Sequence, residues 1–448
     1  MKKVTVLLLA AAFVIGFALT ASAADVKLGG QYYVRGFVED NHALGSKDNA
    51  KTKSAIHQRL RVQPEVAIAD GLKLVMRFDA LEKTWGEKTW TGSSVDTASR
   101  PSIGAAGAAE QQSIEFERAY ADFNTGIGKF IVGYQNFIAW GTSFGDTHAT
   151  RAGLKYVVPL NENLIALAAF EKSTKDVVFA DRDDELFDLG AVYKLPNGEA
   201  GLLYQYGRTA SKRDYIHPTY GVPAGNVLTL NAFLPYYKGT FDNIYVEAEG
   251  LYAMGKIAME PEVSPAVASD TTLSGFGLYG KVNVDLAPAY VGGVFAYITG
   301  DDITTKDKKE GGLATQLLYG QAWSPMVLMW NDQFMSASGA YSANGVTMNQ
   351  FFDNAMLVYL YAGTKPMEKL DVKVAFAYAL ANQDVVAGQI SKNIGMEFDV
   401  VATYSIYSNL NYEVGLGYFM PGDFFKGITE SAELSANYLL YNKLTLNF

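Results

Sequence analysis

The charged side chains that could do chemistry lie on alternate positions of extended segments. The basic set falls on one face of three early segments and comprises Arg35, Arg59, Arg61, Lys73 and Arg77. The acidic set falls on the corresponding face of much later segments and comprises Glu247, Glu249, Glu397, Asp399 and Glu413. If the two sets face each other across water, they create a transverse electric field that orients dipolar solutes. The alternative is a solvated wall whose cations are neutralised by nearby acids, namely Glu39, Glu65 and Asp79.

Motifs for catalysis and cofactor binding are weak in this chain. Residues 275–280 match the G-x-G-x-x-G nucleotide motif, but they lie inside an alternating segment and not at a strand-to-helix turn. The four histidines, which are His42, His57, His148 and His217, have no partner at metal-ligand spacing. The chain has no cysteine, which excludes disulfides, thiolate metal sites and C-x-x-C-H haem attachment. We therefore predict no catalytic residue, no metal and no cofactor.

The elements that carry the charges are predicted to be β-strands, and the last segment has the clearest pattern. From Ala432 onward, apolar side chains occupy nearly every second position up to the final residue, Phe448. A period of two places apolar residues on one face of a strand and polar residues on the other. Segments 56–69 and 393–406 have the same pattern. We predict about eighteen strands, with about sixteen as the alternative count.

The connections between the predicted strands alternate between short turns and long loops. Asp70 and Gly71 form one short turn, whereas residues 300–352 form the longest loop. The charged face of so many strands must line a wet space, which a soluble sandwich does not offer. After the first 23 residues, no apolar run reaches the roughly 18 residues of a membrane helix, so only a closed barrel could cross a bilayer. The pattern predicts an all-β transmembrane antiparallel barrel with short periplasmic turns and long extracellular loops.

The amino-terminus predicts export. Lys2 and Lys3 precede an apolar stretch, and residues 21–23 form an A-x-A cleavage site. Residues 1–23 are therefore expected to be a cleaved signal peptide, and residues 24–448 the barrel. Loss of the two lysines changes the formal net charge from −10 to −12, which argues against nucleic acid as a partner. The expected location is the bacterial outer membrane.

Two features resemble known outer-membrane proteins. Residues 116–123 read Phe-Glu-Arg-Ala-Tyr-Ala-Asp-Phe, followed by Val-Gly-Tyr-Gln at 132–135 and Trp-Gly-Thr at 140–142. This stretch resembles the "E-R-A-Y-x-x-F … G-R-Q-x-x-x-W-G" hairpin of bacterial porins and alginate-export-like barrels, with Tyr134 in the place of an arginine. The terminal Phe448 resembles the assembly signal of outer-membrane barrels, which implies recognition by the barrel-assembly machinery. The resemblance implies a diffusion channel.

The leading hypothesis is a passive outer-membrane porin, without enzymatic activity, for small hydrophilic solutes or ions. The alternatives are a sheath for a partner, such as a cytochrome electron conduit, and a polysaccharide export channel. Expected partners are outer-membrane lipid, the assembly machinery, the solutes, and either a homotrimer or a periplasmic or extracellular protein. Loop 300–352 is too apolar to be simply solvated. It is expected to fold inward as a constriction or plug, or to pack between barrels or against a partner.

Overall fold

The computed structural model describes residues 25–45, 52–86, 114–137, 139–146, 149–174, 183–210, 226–259, 270–312, 323–331, 341–349 and 351–448. The predicted signal peptide lies outside these ranges. Across the described residues, 18 antiparallel strands form one closed all-β barrel, which confirms the fold class and the higher strand count. No helix in these ranges is long and apolar enough to cross a membrane.

The first nine strands are β1 (Asp25–Asp40), β2 (Thr52–Ala69), β3 (Leu72–Thr84), β4 (Ile114–Thr125), β5 (Gly128–Phe137), β6 (Ala149–Pro159), β7 (Leu164–Thr174), β8 (Asp184–Leu195) and β9 (Gly198–Thr209). The second nine are β10 (Asn226–Phe241), β11 (Ile244–Met259), β12 (Thr271–Leu286), β13 (Ala289–Ile298), β14 (Ala355–Met367), β15 (Leu370–Ala381), β16 (Asn393–Tyr407), β17 (Leu410–Pro421) and β18 (Asn437–Asn447). The long loops also contain two-residue strands and a 3-10 turn at Asp423–Lys426.

The barrel closes where the first strand meets the last. Each strand pairs with its sequence neighbour, and β1 pairs with β18 from Gln31–Asn447 to Asp40–Tyr438. Connections from even-numbered to odd-numbered strands are tight turns, such as Asp70-Gly71 between β2 and β3. Connections on the other rim are longer, and residues 299–354 between β13 and β14 are the longest. The start of β1 and the end of β18 both lie at the rim with the short turns.

Strand β16 shows why the sequence alternates. Met396, Phe398 and Val400 are 36%, 46% and 46% exposed, whereas the intervening Glu397 and Asp399 are 0% and 3% exposed. The apolar side chains form the outer surface, which suits lipid, and the carboxylates point into the lumen. A closed barrel is needed for this arrangement because lipid tolerates no unpaired backbone groups.

Strand β18 begins later than predicted. The alternation starts at Ala432, but the strand begins at Asn437. The preceding residues are held by an extracellular loop, because the Asn41 side-chain amide donates to the carbonyl oxygens of Ser435 and Ala436 at 3.0 and 3.2 Å. The Ser435 amide also donates to the carbonyl of Leu44. A two-residue period therefore continued into a segment that is bound by a loop and not by the sheet.

The strand register settles two local features of the sequence. Residues 275–280, the glycine-rich match, lie within β12. Strand β4 has a bulge at Glu117, because Arg77 pairs with Arg118 while Phe78 pairs with Phe116, leaving Glu117 as the extra residue.

Two segments fold into the lumen and form its apolar core. They are residues 139–146, which follow β5, and residues 323–331, which belong to the longest loop. Buried side chains of both segments join one cluster with inward-facing residues of the later strands. Of the alternatives given for the longest loop, inward folding is the one that its described residues 323–331 adopt. The cluster fills one side of the barrel and leaves space beside β1–β3.

Candidate functional site

A cavity of about 1240 Å³ lies between the inward-folded segments and the early strands. Among the described residues, its charged lining comprises the seven basic residues Arg35, Arg59, Arg61, Arg77, Lys281, Lys373 and Lys443 and the three acidic residues Glu82, Glu115 and Glu117. Cations therefore dominate the cavity although the whole chain carries a net charge of −10.

Arg61 is held in place by a buried carboxylate. It lies opposite Asp79 in the β2–β3 register, and Asp79 is only 1% exposed. The Arg61 Nε donates to Asp79 Oδ1 at 2.7 Å, and Nη2 donates to Oδ2 at 2.6 Å. This is the two-point geometry in which a planar guanidinium binds a carboxylate most specifically. Arg59 lies 3.7 Å from the same carboxylate, so Asp79 orders two cavity arginines.

The bulge in β4 supplies a second carboxylate to the same wall. Glu117 forms an ion pair with Arg77 and lies 3.3 Å from the Nη2 of Arg61. A bulge places two residues opposite one, so it re-aims a side chain that regular alternation would point outward. Because of the bulge, Glu117 faces the lumen on the same side as the cavity arginines. Regular pairing would point it outward.

An aromatic ring separates three of the cations. Arg35, Arg59 and Lys443 lie 5.7, 5.0 and 5.6 Å from the centroid of the Tyr33 ring. The negative face of an aromatic ring attracts cations, and each contact is worth about 0.5–1 kcal/mol at exposed sites. Tyr33 thus lowers the cost of gathering like charges on β1, β2 and β18.

The opposite side of the cavity is aromatic. Tyr279, Trp323, Tyr359 and Tyr361 contribute to the lining. Phe144 of the first inward segment stacks on Tyr279 at 4.9 Å and meets Trp323 of the second segment edge-on at 5.0 Å. These ring contacts join the two segments into one unit.

Buried carboxylates anchor both inward segments by their backbone amides. Glu249 Oε2 accepts from the amide and the hydroxyl of Thr142 at 2.7 and 2.6 Å. Glu397 accepts from the amides of Leu328 and Met329 at 2.6 and 2.7 Å, one on each carboxylate oxygen. Asp399 Oδ2 accepts from the Val327 amide at 3.2 Å. These acids lie behind the segments that border the cavity.

The structure distributes the predicted site residues over several environments. Arg35, Arg59, Arg61 and Arg77 border the cavity. Lys73 lies near the short-turn rim, 3.0 Å from Glu65.

The predicted acids occupy other environments. Glu247 accepts hydroxyl hydrogen bonds from Tyr245 and Tyr279, both at 2.8 Å, and Glu413 accepts one from Tyr441 at 2.9 Å. Glu249, Glu397 and Asp399 lie under the inward segments. The pore-lining role of the whole predicted set stays a prediction.

Three lysines of the cavity were missed in the sequence. Lys281, Lys373 and Lys443 lie on β12, β15 and β18, far from the arginines in the chain. Strand parity was the available signal, since each lysine lies two positions from a buried inward-facing residue, namely Tyr279, Ala375 and Tyr441. Lys443 and Arg35 are partners in the β1–β18 register, so closure of the barrel brings them together. Parity alone does not show this.

Tyr134, which replaces the arginine of the porin-like hairpin, lies at the edge of the same cavity. The β4–β5 pairing ends at Ala119–Tyr134, and Tyr134 is 59% exposed. No constriction arginine is supplied by this position. In the part of the chain that the structure describes, no group of three or more His, Asp or Glu residues could hold a metal ion. His148 and His217 lie outside the described residues.

Comparison with known proteins places the fold. OccK9 (OpdG) of Pseudomonas aeruginosa superposes with a TM-score of 0.54 at 12% identity, covering 95% of this chain and 99% of that one. OccAB1 of Acinetobacter baumannii gives 0.54 at 14% identity, covering 96% and 99%. OpdQ of Pseudomonas aeruginosa gives 0.53 at 10% identity, covering 95% and 97%. No protein-family model and no curated protein sequence matches the chain.

These structures are outer-membrane porins, and the likeness is one of fold. The closed barrel, its apolar exterior and its polar cavity define a membrane-spanning β-barrel of the bacterial outer membrane. Within that class, the chain has the porin fold.

Proposed function

We propose that the protein is a passive outer-membrane channel for small hydrophilic solutes that prefers anions. The observation that supports it is the charge imbalance of the cavity, where seven basic residues face three acidic ones among the residues that the structure describes. Even with the ion-pair partners Asp79 and Glu247 counted, the cations exceed the carboxylates by two, from seven minus five. Fixed charge along a narrow wet path sets ion preference more strongly than net charge elsewhere on the protein.

This proposal replaces the cation preference that the net charge of −10 favours by itself. Charges on the outer loops are screened beyond about 8–10 Å at physiological salt. Glu249 and Glu397 bind backbone amides of the inward segments, and Glu247 binds the hydroxyl of Tyr279. The charges that a permeating ion meets first in the cavity are therefore mostly positive.

The channel is favoured over a sheath because the chain fills part of its own lumen. The aromatic unit of Phe144, Tyr279, Trp323 and Phe352 occupies the space that an inserted partner would need. The remaining space of about 1240 Å³ suits water and small solutes.

The test is the reversal potential of the purified barrel in a planar bilayer under a salt gradient. The proposal expects a reversal potential of the sign that marks anion preference. A cation-selective potential would contradict the preference, and a folded barrel without conductance would contradict the channel.

A further inference from the structure

Two carboxyl side chains of β16 hold the second inward segment, residues 323–331, in a fixed position in the lumen. Glu397 is fully buried on the inward face of β16. Its two oxygens bind two consecutive amides, at Leu328 and Met329, and the neighbouring Asp399 binds the amide before them, at Val327. Successive backbone amides that point the same way form a concavity that suits an acceptor group, and here a side-chain carboxyl of the barrel wall occupies it.

The anchored residues lead directly to the cavity wall. Trp323, Ser324 and Pro325 border the cavity, and the residues that follow, from Met326 to Trp330, are buried. The anchor is therefore only a few residues from the groups that narrow the open space. Displacement of the anchored amides would move Trp323 and change the free cross-section.

The barrel wall is also shaped for this segment. A Cβ at Gly417 of β17 would lie 2.8 Å from the Cβ of Val327, closer than real side chains approach. The Asn331 side chain donates to the Met326 carbonyl at 2.6 Å and closes the turn from within. The position of the segment is therefore fixed by the carboxyl group of Glu397 and by the space that Gly417 leaves in the wall.

We propose that Glu397 is the positioning residue that sets the size limit of the channel by holding the 323–331 segment in the lumen. The proposal rests on the channel function proposed above. A carboxyl group suits the role because each of its two oxygens can accept one of the two amides. A glutamine would keep one acceptor oxygen and turn an NH₂ group toward the other amide, so Glu397→Gln should release one bond and repel its neighbour.

The experiment compares the parent with Glu397→Gln and with Glu199→Gln. Glu199 lies on β9 and bonds Tyr236 and Lys238, away from the segment, so it controls for the chemical change. Hydrogen exchange at Leu328 and Met329 should be about tenfold faster in Glu397→Gln, since losing one hydrogen bond shifts the opening equilibrium by about that factor. Conductance should rise, and neutral polymers of larger size should enter the pore. Glu199→Gln should match the parent in both readouts.

A folded Glu397→Gln barrel with parental exchange and a parental polymer limit would overturn the proposal. If that variant does not fold, exchange in the parent decides: protected Leu328 and Met329 amides support the anchor, and exchange at the rate of an open loop overturns it. A parent that folds but conducts no ions would contradict the channel function, while hydrogen exchange would still test the anchor.

Discussion

The ring of Phe448 packs against Gly30, and the two residues exchange backbone hydrogen bonds of 2.8 and 3.1 Å. A Cβ at Gly30 would lie 2.6 Å from the ring and 2.3 Å from the carbonyl oxygen of Arg61. The last residue of the chain therefore lies at the seam where β18 closes against β1, and it needs a neighbour without a side chain.

Deletion of Phe448 should reduce the amount of assembled barrel in the membrane. The barrels that do form should have nearly the stability of the parent. The reason is that the residue completes the closing seam, and its role as an assembly signal stays a prediction. The measurement is the level of heat-modifiable protein in outer-membrane fractions. Gly30→Ala should lower that level too, whereas Gly29→Ala, whose Cβ would meet nothing closer than 3.6 Å, should not. Normal levels after the deletion would contradict the prediction.

Arginine should be tolerated on one face of β16 and not on the other. Val400 lies mid-strand on the outer face, and Thr403 lies on the inner face, where its hydroxyl donates to Glu413. Val400→Arg should lower the free energy of unfolding by about 2–4 kcal/mol, as expected for arginine near the bilayer midplane. Thr403→Arg should cost less, since the lumen is wet. Equal costs in urea unfolding from lipid vesicles would argue against the assignment of faces.

Removal of the Asp79 charge should destabilise the basic wall. In Asp79→Asn the amide group can no longer accept both hydrogen bonds from Arg61, and the cost should be roughly 1.5–3 kcal/mol. The control is Asp270→Asn, since its ion pair with Lys256 is about half exposed on both sides, and it should change stability by less than about 1 kcal/mol. Equilibrium unfolding measures both variants. A cost for Asp79→Asn no larger than that of the control would show that the pair does not organise the wall.

Acid should stabilise the extracellular end of β14. Asp353 lies just before that strand, and burial raises its pKa from 3.8 to about 6. Asp301, Asp384 and Lys309 border the same small pocket. Because the folded state binds the proton more tightly, the free energy of unfolding should fall as pH rises from about 4 to 6, by at most about 3 kcal/mol.

The variant Asp353→Asn should flatten this part of the pH profile. Asp302 serves as the comparison, because hydrogen bonds from the Thr304 hydroxyl and amide lower its pKa. A lowered pKa contributes stability that is lost only as pH falls below about 4, so Asp302→Asn should leave the slope between pH 4 and 6 unchanged. Unfolding titrations over this range check both, and an unaltered slope in Asp353→Asn would refute the assignment.

The strands could be predicted from the sequence because one physical rule governs them all. Lipid outside and water inside impose a two-residue period, and the tight turns punctuate it, as at Asp70-Gly71. This rule depends on the local sequence only and takes no account of contacts with distant residues. It extended β18 back to Ala432 because the period continues there, although Asn41 binds that backbone.

The site was harder to predict because its contacts join distant parts of the chain. Alternation placed Glu397 on the polar face of its strand, and the structure agrees. It could not show that Leu328 and Met329, nearly seventy residues earlier, occupy the lumen and bind that carboxylate. The preference for anions has the same origin, since the role of the arginines depends on which acids the inward segments cover.

The reversal potential of a matched pair of triple variants tests the central claim most directly. Arg59, Arg61 and Arg77 border the cavity, whereas Lys306, Lys308 and Lys309 are exposed on an outer loop. Replacing either set by serine removes the same three charges. We predict that the arginine variant shifts toward cations under a salt gradient, while the lysine variant stays near the parent because loop charges are screened. An unchanged reversal potential and conductance in the arginine variant would show that ions do not pass along the basic wall.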